Sequence, residues 1–193
     1  MREAIVRKAR ESAALAVRFV EDNAAAIERC ARALAERFAR GGRLYVMGNG
    51  GSACDAAHLA VEMQHPIVEK RRPLPALALA ADTALVTAVG NDTDFSHVFA
   101  RQIDLLARPE DAALGISTSG ASANVNRALR RARERGLYTV GFAGRDGGAM
   151  PDLCEVCLVV PSWSIHRIQE THTLLLHLLW DQLHVALGEP DVL

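Results

Sequence analysis

Apolar positions near the start of the chain recur at the spacing of amphipathic helices, with Ile27, Ala31, Leu34 and Phe38 on one face. This pattern predicts two helices, at about residues 2–21 and 24–40, the second stopped by Gly41-Gly42. Strand candidates, short and mostly apolar, follow at 43–47, 75–79, 112–116, 138–142 and 155–160. Helical segments fall between and after them, at 52–64, 82–89, 95–107, 122–135 and about 164–187. Strands alternating with helices predict an α/β fold: a three-layer αβα sandwich around a mainly parallel five-stranded sheet, preceded by two N-terminal helices. Pro73 and Pro75 bracket a loop, not a linker, and residues 1–193 carry no internal repeat or low-complexity tract, so they read as a single domain.

Composition narrows the function. With half of 193 residues apolar, the chain can bury one sizeable core. A formal charge of −1 gives no footprint for nucleic acid or an anionic membrane, and the densest basic cluster, Arg127 to Arg135, has the spacing of a solvated helix face. The N-terminus is charged and amphipathic from Arg2 onward, unlike a signal peptide, and no apolar run approaches the ~20 residues of a membrane span. A soluble cytoplasmic protein is expected. The four cysteines, Cys30, Cys54, Cys154 and Cys157, suit a reducing compartment. Cys154 and Cys157 have zinc-like spacing without a second pair. On a strand they would point to opposite faces, and they are read as ordinary core or edge cysteines.

The richest stretch runs from Gly48 to Glu62, where an apolar strand passes through Gly48-Asn49-Gly50-Gly51-Ser52 into an alanine-rich helix. A glycine-rich turn of this kind brings backbone amides close to a ligand, and the following helix N-terminus favours an anion. His58 and Glu62, four residues apart, share one face of that helix. A second small-residue loop, Ser117-Thr118-Ser119-Gly120-Ala121-Ser122, directly follows the third strand. In a parallel sheet both loops lie at the C-terminal ends of strands, where ligands bind at a topological switch point. Their hydroxyls and helix-start amides can satisfy phosphate oxygens without a lysine. Chemistry on a phosphorylated small molecule follows.

Other readings of these motifs are weaker. Gly48-x-Gly50-x-x-Ala53 matches a dinucleotide fingerprint, but the acidic residue that should end the second strand is missing: Glu69 precedes that strand and Asp82 lies too far along. The His58/Glu62 pair, taken alone, is an ordinary surface pair. Gln169, His172, His177 and His184 sit in a leucine-rich final helix and need partners, which an imidazole–carboxylate cluster would supply. Asn91-Asp92 reads either as a turn or as a ligand contact.

Together these segments resemble the sugar-isomerase (SIS) domain family, and within it the phosphoheptose isomerases. The resemblance rests on Gly48-Asn-Gly-Gly-Ser52, His58-x3-Glu62, Gly90-Asn-Asp92, Gly115-Ile-Ser-Thr-Ser-Gly120, Ser122-Ala-Asn124, Asp146-Gly-Gly148 and Arg167-Ile-Gln-Glu170 followed by His172 and His177. It implies the SIS fold, one Zn2+ per subunit on His58, Glu62, Gln169 and His177, and sugar contacts by Asn49, Gly50, Gly51, Asn91 and Asp92. It further implies a phosphate held by Ser52, Ser117, Thr118, Ser119 and Ser122. The implied reaction converts sedoheptulose 7-phosphate to D-glycero-D-manno-heptose 7-phosphate, the first step toward nucleotide-activated heptose. The implied assembly is a homotetramer with sites at subunit interfaces, in which the helical pair of residues 1–41 serves oligomerisation. Ketose–aldose isomerisation moves a proton between C1 and C2, with Glu62 as the expected base and His177 as its acid–base partner. Glu62, Gln169 and the loop residues are the expected substrate contacts.

Gln169 and His177 are eight residues apart, a rise of ~12 Å on a straight helix. They share a metal only if their side chains lean together, if Gln169 starts the helix irregularly, or if another subunit supplies a ligand. The chain departs from the family's pattern at Met63-Gln64-His65-Pro66-Ile67-Val68 and at His166. Two other functions compete: a non-catalytic SIS adaptor of the replication-initiator-binding type, and a sugar-phosphate sensor. An adaptor is expected to lose the acid–base residues that this chain keeps.

Overall fold

The computed structural model describes residues 1–67 and 71–191. Five strands form one sheet: β1 (Leu44–Gly48), β2 (Ala76–Ala78), β3 (Ala112–Ser117), β4 (Tyr138–Gly144) and β5 (Val156–Val160). Their order is β2-β1-β3-β4-β5, and every neighbouring pair is parallel. The helices are α1 (Arg2–Ala39), α2 (Gly51–Gln64), α3 (Thr83–Asp92), α4 (Ala100–Leu106), α5 (Ala123–Glu134) and α6 (Ile165–Ala186). The three-layer α/β architecture expected from the alternating pattern is present. Glu69, weighed above as a ribose-binding acid, lies outside the described residues.

Each sheet face has its own core. Leu44, Val46, Leu114, Ile116, Phe142 and Leu158 face α1, α2 and α6, while Tyr45, Met47 and Ala113 face α4 and α5. Burial on both faces explains the apolar runs of the inner strands β1 and β3, whereas the edge strand β2 leaves Leu77 exposed. The chain reverses strand order at β1, which has β2 on one side and β3 on the other. Gly48 at the end of β1 is in register with Ile116, one residue before the end of β3. The two small-residue loops therefore leave the sheet side by side, at the switch point.

Two expectations need correction. The N-terminal pair is one continuous helix, Arg2–Ala39. Glu21-Asp22-Asn23 resembles a stop signal but contains no Gly or Pro, and the Asn23 amide donates to the Phe19 carbonyl one turn back at 2.8 Å, within the helix. Its first half is largely exposed, whereas Phe19, Ile27, Cys30, Ala31 and Leu34 are buried against the body. The segment 95–107 is split into a short 3-10 turn, Phe95–His97, and α4. Asp94 ties the start of that turn by accepting from Ser96 N–H at 2.8 Å.

His172 illustrates how α6 accommodates its polar residues. It is fully buried, and its Nε2–H donates to the Ala143 carbonyl on β4 at 3.0 Å. Burial pushes its pKa down from 6.5 to about 4. The unfolded chain then binds a proton that the folded chain refuses, so stability is complete above pH ~6.5 and falls as pH drops toward ~4, by up to about 3 kcal/mol. Melts of His172→Asn across that window should show a shallower acid slope by about one proton. Parallel slopes in the two proteins would show that His172 is not its source.

Candidate active site

The glycine loop is shaped by close approach. Gly50 caps α2 with φ +55°, and no side chain caps the helix. A Cβ on Gly51 would fall well inside van der Waals contact with the Gln169 amide, so the glycine admits Gln169 from α6 to the loop. Ser52 is buried at the base of the turn, and its N–H donates to the Asn49 carbonyl at 3.1 Å.

The second loop gathers hydroxyls. Ser117 Oγ lies 2.9 Å from Ser122 Oγ and 3.4 Å from Ser119 Oγ, and Ala121 N–H donates to Ser119 Oγ at 3.2 Å. Ser122 is the N-cap residue of α5, yet its side chain caps nothing; it is engaged by Ser117 instead. Val125 N–H is taken by the Asn124 side-chain oxygen at 2.9 Å, so among the described residues it is the Ala123 and Asn124 amides at the start of α5 that are left to a ligand, as an anion site requires. Thr118 backs this loop, its carbonyl lying 2.6 Å from where a Cβ on Gly144 would stand. The two loops are joined by Asn49 and Asn124, whose amides exchange two hydrogen bonds of 2.8 Å each. In the sequence Asn124 shows only as part of a motif. Its role as the tie across the switch point belongs to the fold.

Along α2 from the glycine loop, His58 and Glu62 meet His177 of α6. His58 Nε2 is 3.3 Å from His177 Nε2 and 3.5 Å from Glu62 Oε1, with one ligand atom from each residue inside a 4.8 Å group. The two rings meet edge to face at 4.9 Å between centroids. Donors at ~2.0–2.2 Å from a tetrahedral zinc stand about 3.3–3.5 Å apart, so the group's spacing and donor types fit that ion. Among the described residues this is the one cluster of three or more His, Cys, Asp or Glu side chains with such spacing. Gln169 lies within regular α6 helix, so an irregular helix start does not explain its eight-residue separation from His177.

Asp55, one turn before His58 on α2, lies against α6 beside this group, and the sequence reading does not name it. Its Oδ1 accepts from Thr173 of α6 at 3.5 Å, its Oδ2 is buried without a protein partner among the described residues, and burial holds its pKa above the ordinary value. The spacing Asp55, His58, Glu62 marks one helix face and is the signal that could have found it.

The remaining residues are placed elsewhere. Asn91 and Asp92 are the last residues of α3, exposed, with the Asn91 amide donating to Asp92 at 2.8 Å. Among the described residues no hydrogen bond joins them to either loop. His172 is a core residue, and His184 pairs with Glu189 at 2.9 Å, so the four polar groups of α6 do not form one cluster. Cys154 stands before β5, not on it, and its sulfur and that of Cys157 both come to 3.0 Å from the Cβ position of Gly141. The opposite-face argument therefore fails for this pair. Neither cysteine belongs to the metal-competent group.

The family profile for the SIS domain matches residues 9–144. The chain belongs to the SIS domain family. Within the SIS family it is 50% identical over 169 residues to a phosphoheptose isomerase of Solidesulfovibrio magneticus, covering 88% of this chain and 82% of that one. It is 41% identical over 187 residues to the phosphoheptose isomerase of Trichlorobacter lovleyi, covering 97% and 95% of the two chains. The solved phosphoheptose isomerase of Neisseria gonorrhoeae superposes with a TM-score of 0.87 at 37% identity, covering 93% of this SIS chain and 96% of that one.

Proposed function

We propose that this chain is a ketose–aldose isomerase that interconverts sedoheptulose 7-phosphate and D-glycero-D-manno-heptose 7-phosphate. The observation that carries the reading is the meeting of His58, Glu62 and His177 on two helices that also approach one another at the glycine loop. Relatives of similar length and 41–50% identity, both phosphoheptose isomerases, support it.

The loops bind the phosphate, with Ser52, Ser117, Thr118, Ser119, Ser122 and the backbone amides of Gly51, Ala123 and Asn124 as donors. Asn49, Gly50 and Gly51 line the path of the sugar. From Ser52 to Glu62 the rise along α2 is ~15 Å. A seven-carbon chain suits this separation between anion site and proton-transfer groups better than a triose. Glu62 takes the proton from one of C1 and C2 and returns it to the other, while His177 exchanges protons with the oxygens. His58, Glu62 and His177 would hold the zinc, with Gln169 serving the metal or the sugar. The ion, when bound, supplies polarisation of the carbonyl and stabilisation of the developing oxyanion. Asn91 and Asp92 reach the sugar only in an assembly. We assign that assembly as a cytoplasmic homotetramer with shared sites, to which the exposed Ile5, Val6 and Val17 of α1 would contribute. No described helix is long and apolar enough to cross a membrane.

The test is aldose formation from sedoheptulose 7-phosphate by the purified protein. Turnover should fall on chelation and return with zinc. Zinc-loaded, folded protein that leaves the ketose untouched would reject the reading. An adaptor would have no use for the acid–base pair that is kept here.

A further inference from the structure

Glu62 sits in the last turn of α2, which ends at Gln64. Residue 66 is proline, so the N–H that would close the Glu62 carbonyl in a continued helix does not exist. His65 takes an extended φ of −136°, as a residue before proline prefers. The neighbouring carbonyls find backbone donors: Val61 accepts from His65 at 2.8 Å and Met63 from Leu74 at 2.7 Å. The Glu62 carbonyl accepts the indole N–H of Trp180 at 2.9 Å.

Trp180 lies on α6, three residues beyond His177, and is 3% exposed. Its ring is gripped by Arg71, whose guanidinium stands 4.4 Å from the ring centroid, and by the edge of His184 at 5.0 Å. Arg71 forms a buried ion pair with Asp181 and donates to the Pro190 carbonyl at 3.3 Å. His184 is held by Glu189 at 2.9 Å, and Glu189 by Arg72 at 2.9 Å. The chain after α2 and the tail after α6 thus converge on one indole.

The geometry points to Trp180 as a positioning residue: its N–H fixes the fraying end of α2 against α6 and so sets Glu62 relative to His58 and His177. Helix ends are where backbone bonds run out and local opening is least costly. A displacement of ~1 Å at reacting groups can cost about 10²-fold in rate. The effect on rate rests on the isomerase reading above; the effect on the metal group's geometry does not.

Trp180→Phe keeps an aromatic ring and removes the donor. It should lower kcat roughly tenfold with KM within about twofold. It should also weaken zinc binding several-fold in competition with a chelating dye. Unchanged kcat and zinc affinity, whatever the melting temperature, would overturn the assignment. Replacement of Trp180 by benzothienylalanine, a bicycle of the same shape with sulfur in place of N–H, separates donor from packing. The isostere must reproduce the losses; if only Phe does, packing alone is responsible and the proposal falls. In the unsubstituted protein the indole resonance of Trp180 is distinguishable from that of Trp163, which is 73% exposed, by slow solvent exchange. That resonance should shift on adding zinc, and a resonance that does not move counts against the coupling. Should the unsubstituted protein fail to isomerise the sugar, the functional reading fails while the zinc and resonance measurements still decide this one.

Discussion

Glu62→Gln is expected to lower isomerase turnover by roughly 10³-fold while leaving the fold intact, the scale set by loss of a positioned general base. The substitution keeps shape and removes the charge that accepts a carbon-bound proton. Little stability should be lost, because the Glu62 side chain is not fully buried and its partner His58 is itself partly open to solvent. The backbone carbonyl keeps its bond to Trp180, so the end of α2 should stay in place. Circular dichroism and the melting temperature should therefore track the parent protein. Glu62 is also assigned to the metal group, so zinc content must be measured beside rate. Exchange of substrate hydrogen with deuterated solvent reports proton abstraction directly and should vanish with turnover. A Glu62→Gln variant that turns over within about tenfold of the parent would remove Glu62 from proton transfer.

Much of this arrangement is legible along the chain because it depends on local chemistry. Parallel strands leave short, mostly apolar runs, and each of the five strands begins within a segment marked by one. The strand–glycine–helix turn at Gly48–Ser52 and the hydroxyl-rich turn at 117–122 announce their loops through residue type alone. The i,i+4 spacing of His58 and Glu62 places them on one helix face before any fold is known. What was hidden depends on partners far away in sequence or on a side chain's choice of partner. Asn23 looks like a helix stop until the Phe19 carbonyl is seen to take its amide, and so one long helix reads as two. The Asn49–Asn124 tie, and the coming together of Cys154 and Cys157 over Gly141, are products of strand register. Pro66 signals a helix end, but nothing near it says that an indole on the final helix replaces the donor it removes.

Gly120→Ala is the second large expected effect, and it separates the two ways in which a glycine can be required. Gly120 has φ +63°, so a side chain there is strained by about 1–2 kcal/mol regardless of its surroundings. Its Cβ would also overlap the Gly147 carbonyl oxygen and come within 2.9 Å of Gly148 N, both backbone atoms that cannot rotate away. Relieving that overlap moves one loop off the other at a further ~1–3 kcal/mol. The same residue accepts from Ala149 N–H at 3.1 Å and from the Asn126 amide at 3.0 Å, so the displacement breaks what ties the hydroxyl loop down. A fall in melting temperature of roughly 5–15 °C should follow, with a raised KM for the sugar phosphate as Ser117, Ser119 and Ser122 lose their alignment. Gly50→Ala is the control, since Gly50 has φ +55° but nothing within 4 Å of its Cβ position. It should carry only the conformational cost, a few degrees. Equal melting temperatures for the two variants would show that loop-to-loop packing contributes nothing. A destabilised Gly120→Ala protein with unchanged KM would show that the hydroxyl loop is not where the phosphate binds.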